Sequence, residues 1–231
     1  YNPSYICALL FYGRAINNKM LVALSELGQQ QAAATEATND AITQLLDYVA
    51  TYPSDGITFR ASGMILAAHS DAAYLNVSKA RSRAGAHVML SEDVPVPAYN
   101  GPVLTVAQII KNVMSSAAEA ELAGLYICAK EMVPLRQTLA EMGWPQPKSP
   151  VQCDNSTAVG VANETIIPRK TKSMDMQFHW LRCRDSQGQF RCFWALGSLN
   201  LGDYSTKNHP PIYHLSQRQI RQVALCCPRL I

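Results

Sequence analysis

The chain has 231 residues, 48% of them apolar, which places it among globular proteins able to bury a full core without staples, and no apolar run is long enough to span a membrane. Its net charge of +3 is unevenly spread. Residues 1–58 hold two basic and five acidic side chains (net −3), residues 59–167 eight and nine (net −1), and residues 168–231 ten and three (net +7). A strongly basic last quarter is what a polyanion-facing segment presents, and equally a solvated basic face. Seven cysteines at irregular spacing, with no C-x-x-C pair, argue against a disulfide framework or a zinc knuckle and for buried thiols in a reducing compartment. The first residue is Tyr1 and no leader follows, so the chain reads as a piece of something longer.

In chain order, residues 5–50 read as helical, with Leu9, Leu10, Leu21, Val22, Leu24 and Leu27 at helical spacing and a second stretch through Leu45 and Val49 behind a cap near Thr38 to Asp40. Tyr52-Pro53-Ser54-Asp55-Gly56 is a turn and the first boundary. Three strands follow, Met64 to Ala68, Arg83 to Leu90 and Pro102 to Ile110, expected to be antiparallel. A helix opens at Ser115 or Ser116 and is expected to kink or split at Pro134 before ending at Gly143. Val151 to Cys153 is a short strand, Ser156 to Asn163 a short helix, Lys172 to Arg184 a longer helix and Gln189 to Leu196 a last strand. A short helix near Asp203 precedes a basic tail. Strand–helix–strand order favours parallel pairing through a right-handed crossover, so the sheet is expected to be mixed.

Asp71 follows the first strand and Asp154 the fourth. Parallel pairing of these strands would bring both to one C-terminal edge, where α/β sheets place their sites. Two neighbouring carboxylates repel unless a cation lies between them, and oxygen ligands select a hard ion such as Mg²⁺ or Mn²⁺. Asp71 and Asp154 also suit ordinary turn and cap positions. Glu119 and Glu121 flank the apolar face of the Ser116–Lys130 helix on opposite sides, and periodicity does not choose between them. Asp203 fits both a fourth ligand and an N-cap. His69 reads as a packed neighbour more than a proton carrier, and His209 as a weaker candidate for that role.

The strings His69-Ser70-Asp71-Ala72, Ser116-Ala117-Ala118-Glu119-Ala120-Glu121-Leu122, Gln152-Cys153-Asp154-Asn155-Ser156 and Leu201-Gly202-Asp203-Tyr204-Ser205-Thr206-Lys207 resemble, in order and spacing, the four carboxylate motifs of the ribonuclease H domain of copia-type LTR retrotransposons. Thr171-Lys172-Ser173-Met174-Asp175 resembles that family's T-K-x-x-D stretch, and Ile6 to Gly13 and Leu45 to Tyr52 are similar to the segment after its polymerase core. The resemblance implies an α/β, ribonuclease H-like fold: a mixed five-stranded sheet, three antiparallel strands then two parallel, with flanking helices and a small helical segment in front. It divides the chain into 1–58, resembling the end of a reverse transcriptase, a ribonuclease H-like domain at 59–208, and a basic tail at 209–231.

It further implies an endonuclease that hydrolyses the RNA strand of RNA–DNA hybrids with two Mg²⁺ ions, Mn²⁺ being an alternative. Asp71, Glu121, Asp154 and Asp203 take the four acidic roles. Glu121 is preferred to Glu119 because a large apolar residue and then small ones follow it, as in the family. Asn155 and Ser156, next to Asp154, are candidates for hydroxyl or phosphate contacts, with loop capping the alternative for Ser156, and Arg169, Lys170 and Lys172 are candidates for binding the nucleic-acid backbone. The partners implied are the hybrid and the upstream reverse transcriptase region, with no membrane, in a cytoplasmic particle with access to the nucleus. Gly202 and Ser205 depart from the family's alanine and aromatic, and a glycine weakens a helix by up to ~1 kcal/mol. A nucleic-acid-binding remnant without turnover and an interaction module are the alternatives. No Asp-Asp pair occurs, so the chain is not expected to polymerise DNA.

Overall fold

The computed structural model describes residues 4–166 and 175–221. The chain divides into two compact units, residues 1–60 with 208–231, and residues 61–207.

The first unit is helical: α1 (Ser4–Ala15), α2 (Leu21–Gln29) and α3 (Glu36–Thr51). Ile6, Met20, Leu24, Leu27 and Leu45 form its core. The expected cap of α3 near Thr38 lies three residues too late. Thr35 is the N-cap, its hydroxyl accepting from the Thr38 amide at 3.4 Å while Thr38 Oγ1 accepts from the Thr35 amide at 3.1 Å, a reciprocal box that fixes the start. Asp55, buried after the Tyr52 turn, accepts from Lys19 Nζ (2.5 Å), Tyr48 Oη (3.1 Å) and Asn17 Nδ2 (3.3 Å) through Oδ2, and from Arg218 Nη2 (2.8 Å) through Oδ1. Removing one partner of a buried ion pair is strongly destabilising, because it leaves a buried charge uncompensated. Asp55→Ala is therefore expected to cost about 3 kcal/mol, read as faster amide exchange of α1–α3 with the 61–207 amides unchanged.

The second unit holds a five-stranded sheet in the order β3-β2-β1-β4-β5. Its strands are β1 (Ile65–Val77), β2 (Arg81–Ser91), β3 (Pro102–Ile110), β4 (Ser149–Cys153) and β5 (Phe190–Trp194). β1–β2 and β2–β3 are antiparallel, and β1–β4 and β4–β5 are parallel, as the sequence leads one to expect. Between β3 and β4 runs α4 (Ala117–Glu141), and between β4 and β5 lie α5 (Ser156–Ala162) and α6 (Asp175–Ser186). Leu66 and Ala68 of β1, Ala86 and Val88 of β2, and Val151 and Cys153 of β4 meet Leu122, Leu125, Ala129 and Met132 of α4 in the main core, with Val159 and Phe178. Alternate positions on these strands bury polar groups instead, among them the register partners His69 and His87.

Three expectations are corrected. The first strand does not close at Asp71 but continues to Val77, because Asp71, Ala72 and Ala73 pair with Gly85, Ala84 and Arg83 of β2. Pro134 does not split the helix: α4 runs unbroken through it. The carbonyl that loses its amide partner belongs to exposed Lys130, where water can satisfy it, and Leu125, Ala129 and Met132 hold the helix to the sheet. The segment expected as a tail contains a helix, α7 (Pro211–Arg221), opened by a proline at its first position and tied to Asp55 of its own unit by Arg218. Among the described cysteines, Cys128, Cys153 and Cys192 are buried thiols as expected, whereas Cys7 and Cys183 are exposed.

Candidate metal centre

The four acids named by the sequence come from four elements of the second unit. Asp71 lies within β1, two residues past His69↔Gln152, the last pair of the parallel β1–β4 ladder. Glu121 lies in the first half of α4, Asp154 directly follows β4, and Asp203 opens a single 3₁₀ turn, Asp203–Ser205. The structure brings them together. Burial and then the charges of Asp154 and Asp203 push the Asp71 carboxyl up to about 7, against which the Thr206 side chain and the Lys207 charge act. Burial and then the charges of Asp71 and Asp154 push Glu121 up to about 9. Asp154 is also raised, by burial and by Asp203.

Glu119 and Glu121, equivalent in the periodicity, have different surroundings. Ser116 caps α4 and accepts from the Glu119 amide at 3.2 Å. Glu119 Oε2 turns back to accept from the Ser115 amide (2.8 Å) and hydroxyl (2.6 Å). Glu119 is a capping residue, and Glu121 is the glutamate that senses Asp71 and Asp154.

Close backbone approach holds the acids in place. A Cβ at Gly124 of α4 would lie 3.0 Å from the Asp71 carbonyl oxygen, so the glycine lets the helix sit low on β1. Asn200 ties the Asp203 segment to β1: its Nδ2 donates to the Ser70 carbonyl at 2.8 Å and its Oδ1 accepts from the Gly202 amide at 2.9 Å. His69 Nδ1 accepts from the Leu201 amide at 3.2 Å and its ring meets Tyr99 edge-on at 5.5 Å, which makes His69 a packing residue as expected. Trp194 Nε1 donates to the Asp154 carbonyl at 2.9 Å. The departure at Gly202 has a steric reason. A Cβ there would lie 3.0 Å from each of Asn200 Oδ1, the Asp71 amide nitrogen and the His69 carbonyl oxygen. Glycine is what lets this segment approach β1, and Ser205, buried at 2% exposure, leaves no room for an aromatic.

Four neighbours of the acids have no place in the sequence pattern: Asn200, Trp194, Gly85, where an added Cβ would lie 2.5 Å from the Gly202 carbonyl oxygen, and Gly197, where one would lie 2.6 Å from Asp154 Oδ2. Gly85 had a signal, since a glycine inside a strand marks a close approach of another backbone. Asn200 and Gly197 act through loop geometry and Trp194 from the end of β5, through contacts distant in the chain that no local pattern encodes. Asn155 is the N-cap of α5, its Oδ1 accepting from the Ala158 amide at 3.0 Å, and Ser156 is the exposed first residue of that helix. Arg169, Lys170 and Lys172 lie outside the described residues. Nearby basic residues support the fold: Arg182 and Arg184 lie over the Phe178 and Trp180 rings, and Arg191 donates to the Val94 and Pro95 carbonyls.

The donor set fits a hard divalent cation. Atoms of Glu121, Cys153 and Asp154 lie within 4.8 Å of one another, but burial raises the Cys153 thiol and keeps it protonated, leaving carboxylate oxygens as the ligands. Without a cation the cluster opposes folding as it ionises. Raised folded-state values mean that the stability linked to Asp71 and Glu121 is fully present below their ordinary values of 3.8 and 4.5 and is lost as pH rises through about 7 and about 9. Metal-free protein is expected to lose stability progressively between pH 5 and pH 9, with Mg²⁺ restoring most of it, measured by urea unfolding with and without chelator.

The sheet thus has the expected mixed form, three antiparallel strands and two parallel ones with flanking helices, and the acids gather beyond the β1–β4 ladder. No family model matches the chain. In sequence the chain is 26% identical over 144 residues to the Retrovirus-related Pol polyprotein from transposon TNT 1-94 of Nicotiana tabacum, a match covering 62% of this chain and 10% of that polyprotein. The resemblance to a retrotransposon Pol polyprotein is thereby borne out. Among solved structures, the chain is similar to a ribonuclease H1 isolated from compost (TM-score 0.44, 10% identity, 62% of this chain and 93% of that one). It is similar also to the N-terminal ribonuclease H domain of a Mycobacterium tuberculosis protein (TM-score 0.42, 14% identity, 59% and 91%). A third is the compost enzyme in complex with RNA/DNA hybrid (TM-score 0.42, 8% identity, 61% and 93%). No helix among the described residues is long and apolar enough to cross a membrane.

Proposed function

We propose that the 61–207 unit is a divalent-metal-dependent endonuclease that hydrolyses the RNA strand of RNA–DNA hybrids made by a copia-type retroelement. The observation that carries this reading is the convergence of Asp71, Glu121, Asp154 and Asp203 into one cluster, in which the charges of Asp154 and Asp203 act on Asp71, those of Asp71 and Asp154 on Glu121, and that of Asp203 on Asp154. These four would hold the ions, two Mg²⁺ on this reading, with Asp71 central because it senses Asp154 and Asp203 and is sensed by Glu121. Bound there, divalent ions supply the positive charge and Lewis acidity that phosphodiester hydrolysis needs.

The chain's own residues do the rest. Gly124 and Asn200 fix the spacing of the acids, and the His69–Leu201 hydrogen bond keeps the Asp203 segment on β1. Ser156 stands exposed beside Asp154, where a sugar hydroxyl or phosphate of a bound strand can reach it, and Asn155 holds the helix start that presents it. Arg169, Lys170 and Lys172 supply backbone contacts in the same reading. Residues 1–58 dock on the upstream reverse transcriptase region, and the protein works in a cytoplasmic particle with access to the nucleus.

The test is incubation of the chain with end-labelled RNA–DNA hybrid and Mg²⁺. Cleavage of the RNA strand alone, abolished by chelator, is the expected result. Hybrid that is bound yet left whole would overturn it.

A further inference from the structure

Lys207 ends the fourth of the acidic strings, Leu201 to Lys207. Its Nζ lies 2.6 Å from Asp203 Oδ1, four residues back. As an isolated surface pair at this spacing, with the lysine side chain half exposed, it would contribute little. Its setting is different. The preceding residue, Thr206, is fully buried at 0% exposure. Asn76 Nδ2 donates to the Thr206 carbonyl at 2.7 Å, and the Thr206 hydroxyl donates to the Asp203 carbonyl at 2.7 Å. Its methyl group closes against Gly85 of β2, where an added Cβ would come within 2.6 Å. The backbone that carries Lys207 is thus fixed to the sheet, and the ammonium is tethered over the acidic cluster. The same charge also reaches Asp71 and Asp154, which come from other elements.

We propose that Lys207 is a built-in counter-ion of the acidic centre, paired with Asp203 until a divalent cation displaces it, so that it sets the cation concentration at which the Asp203 side of the centre fills. The inference rests on the reading that these acids hold divalent ions. Displacement needs only rotation about the lysine's own side-chain bonds, because half of the side chain already lies in solvent. A single charge on a flexible stem yields to a divalent ion, but the ion must compete with a ligand whose local concentration never falls. The arrangement stabilises the ion-free protein and weakens apparent cation affinity.

Calorimetric titration of Mg²⁺ and of Mn²⁺ into the nucleic-acid-free chain tests this, with wild type, Lys207→Gln and Lys207→Arg compared. Thermal unfolding with and without Mg²⁺ gives a second readout. Lys207→Gln is expected to bind about tenfold tighter, to unfold at lower temperature without metal, and to gain more from Mg²⁺ than wild type. Lys207→Arg keeps the charge and is expected to stay within about threefold of wild type. Equal affinity in wild type and Lys207→Gln would reduce the contact to a surface pair and overturn the proposal, as would weaker binding in Lys207→Gln. Failure of all three proteins to take up either cation would remove the metal reading itself, an outcome distinct from the other two.

Discussion

Asp71→Asn is expected to lower hybrid cleavage by about 10³-fold and at the same time to make the metal-free protein more stable. Both effects follow from one geometry. Asp71 is buried within β1 and feels Asp154 and Asp203, while Glu121 feels Asp71. Asparagine keeps the shape and removes a charge from a crowded set of like charges, so the repulsion falls. At pH 8 without metal the gain is expected to be about 1–2 kcal/mol, and Mg²⁺ should stabilise the variant less than wild type. Urea unfolding at pH 8 beside the cleavage assay gives both quantities. A variant that is inactive and also less stable would mean that Asp71 is a structural acid. A variant that keeps its activity would remove it from the centre.

Gly85→Ala is expected to have the next largest effect, on a residue that carries no functional group. The added methyl would lie 2.5 Å from the Gly202 carbonyl oxygen, 2.6 Å from Thr206 Cγ2 and 3.2 Å from the Ser205 carbonyl carbon. Two of these three are backbone atoms, which cannot rotate away as a side chain can. The segment from Gly202 to Thr206 must lift from the sheet, and Asp203 moves with it. A loss of about 2 kcal/mol in stability and about 10²-fold in cleavage is expected, with calorimetry showing the Asp203 side of the centre weakened first. Gly28→Ala is the matched control, since a methyl there meets nothing within 4 Å. It sits in α2 and should leave cleavage unchanged while stability rises slightly.

Much of this acidic cluster is legible in the sequence. Asp71 and Asp154 stood out because each follows an apolar run, and strand–helix–strand order placed them on one side of a parallel pair. The choice of Glu121 needed family resemblance, since Glu119 lies equally near the apolar face. The reason is now physical: Ser115 and Ser116 claim Glu119 for the helix start. The length of β1 was not legible, because Asp71, Ala72 and Ala73 are poor strand formers held there by pairing with β2. The unbroken α4 was hidden behind Pro134, whose local cost is offset by packing along the rest of the helix. The role of Gly85 depends on a segment more than a hundred residues away in the chain, which no window contains.

The division of the chain has a consequence for the order of events during synthesis. Residues 1–60 and 208–231 make one unit, and the whole of 61–207 lies between its two parts. The sheet unit is continuous and has all its strands once Trp194 has emerged, whereas the helical unit cannot join Asp55 to Arg218 until the ribosome has passed both. Closing so long a stretch as a flexible loop is slow and entropically costly. A folded insert replaces that long flexible loop with a compact one, so the sheet unit is expected to fold before the helical unit is completed. In a ribosome-stalling series, protease resistance of 61–207 should precede that of residues 4–60.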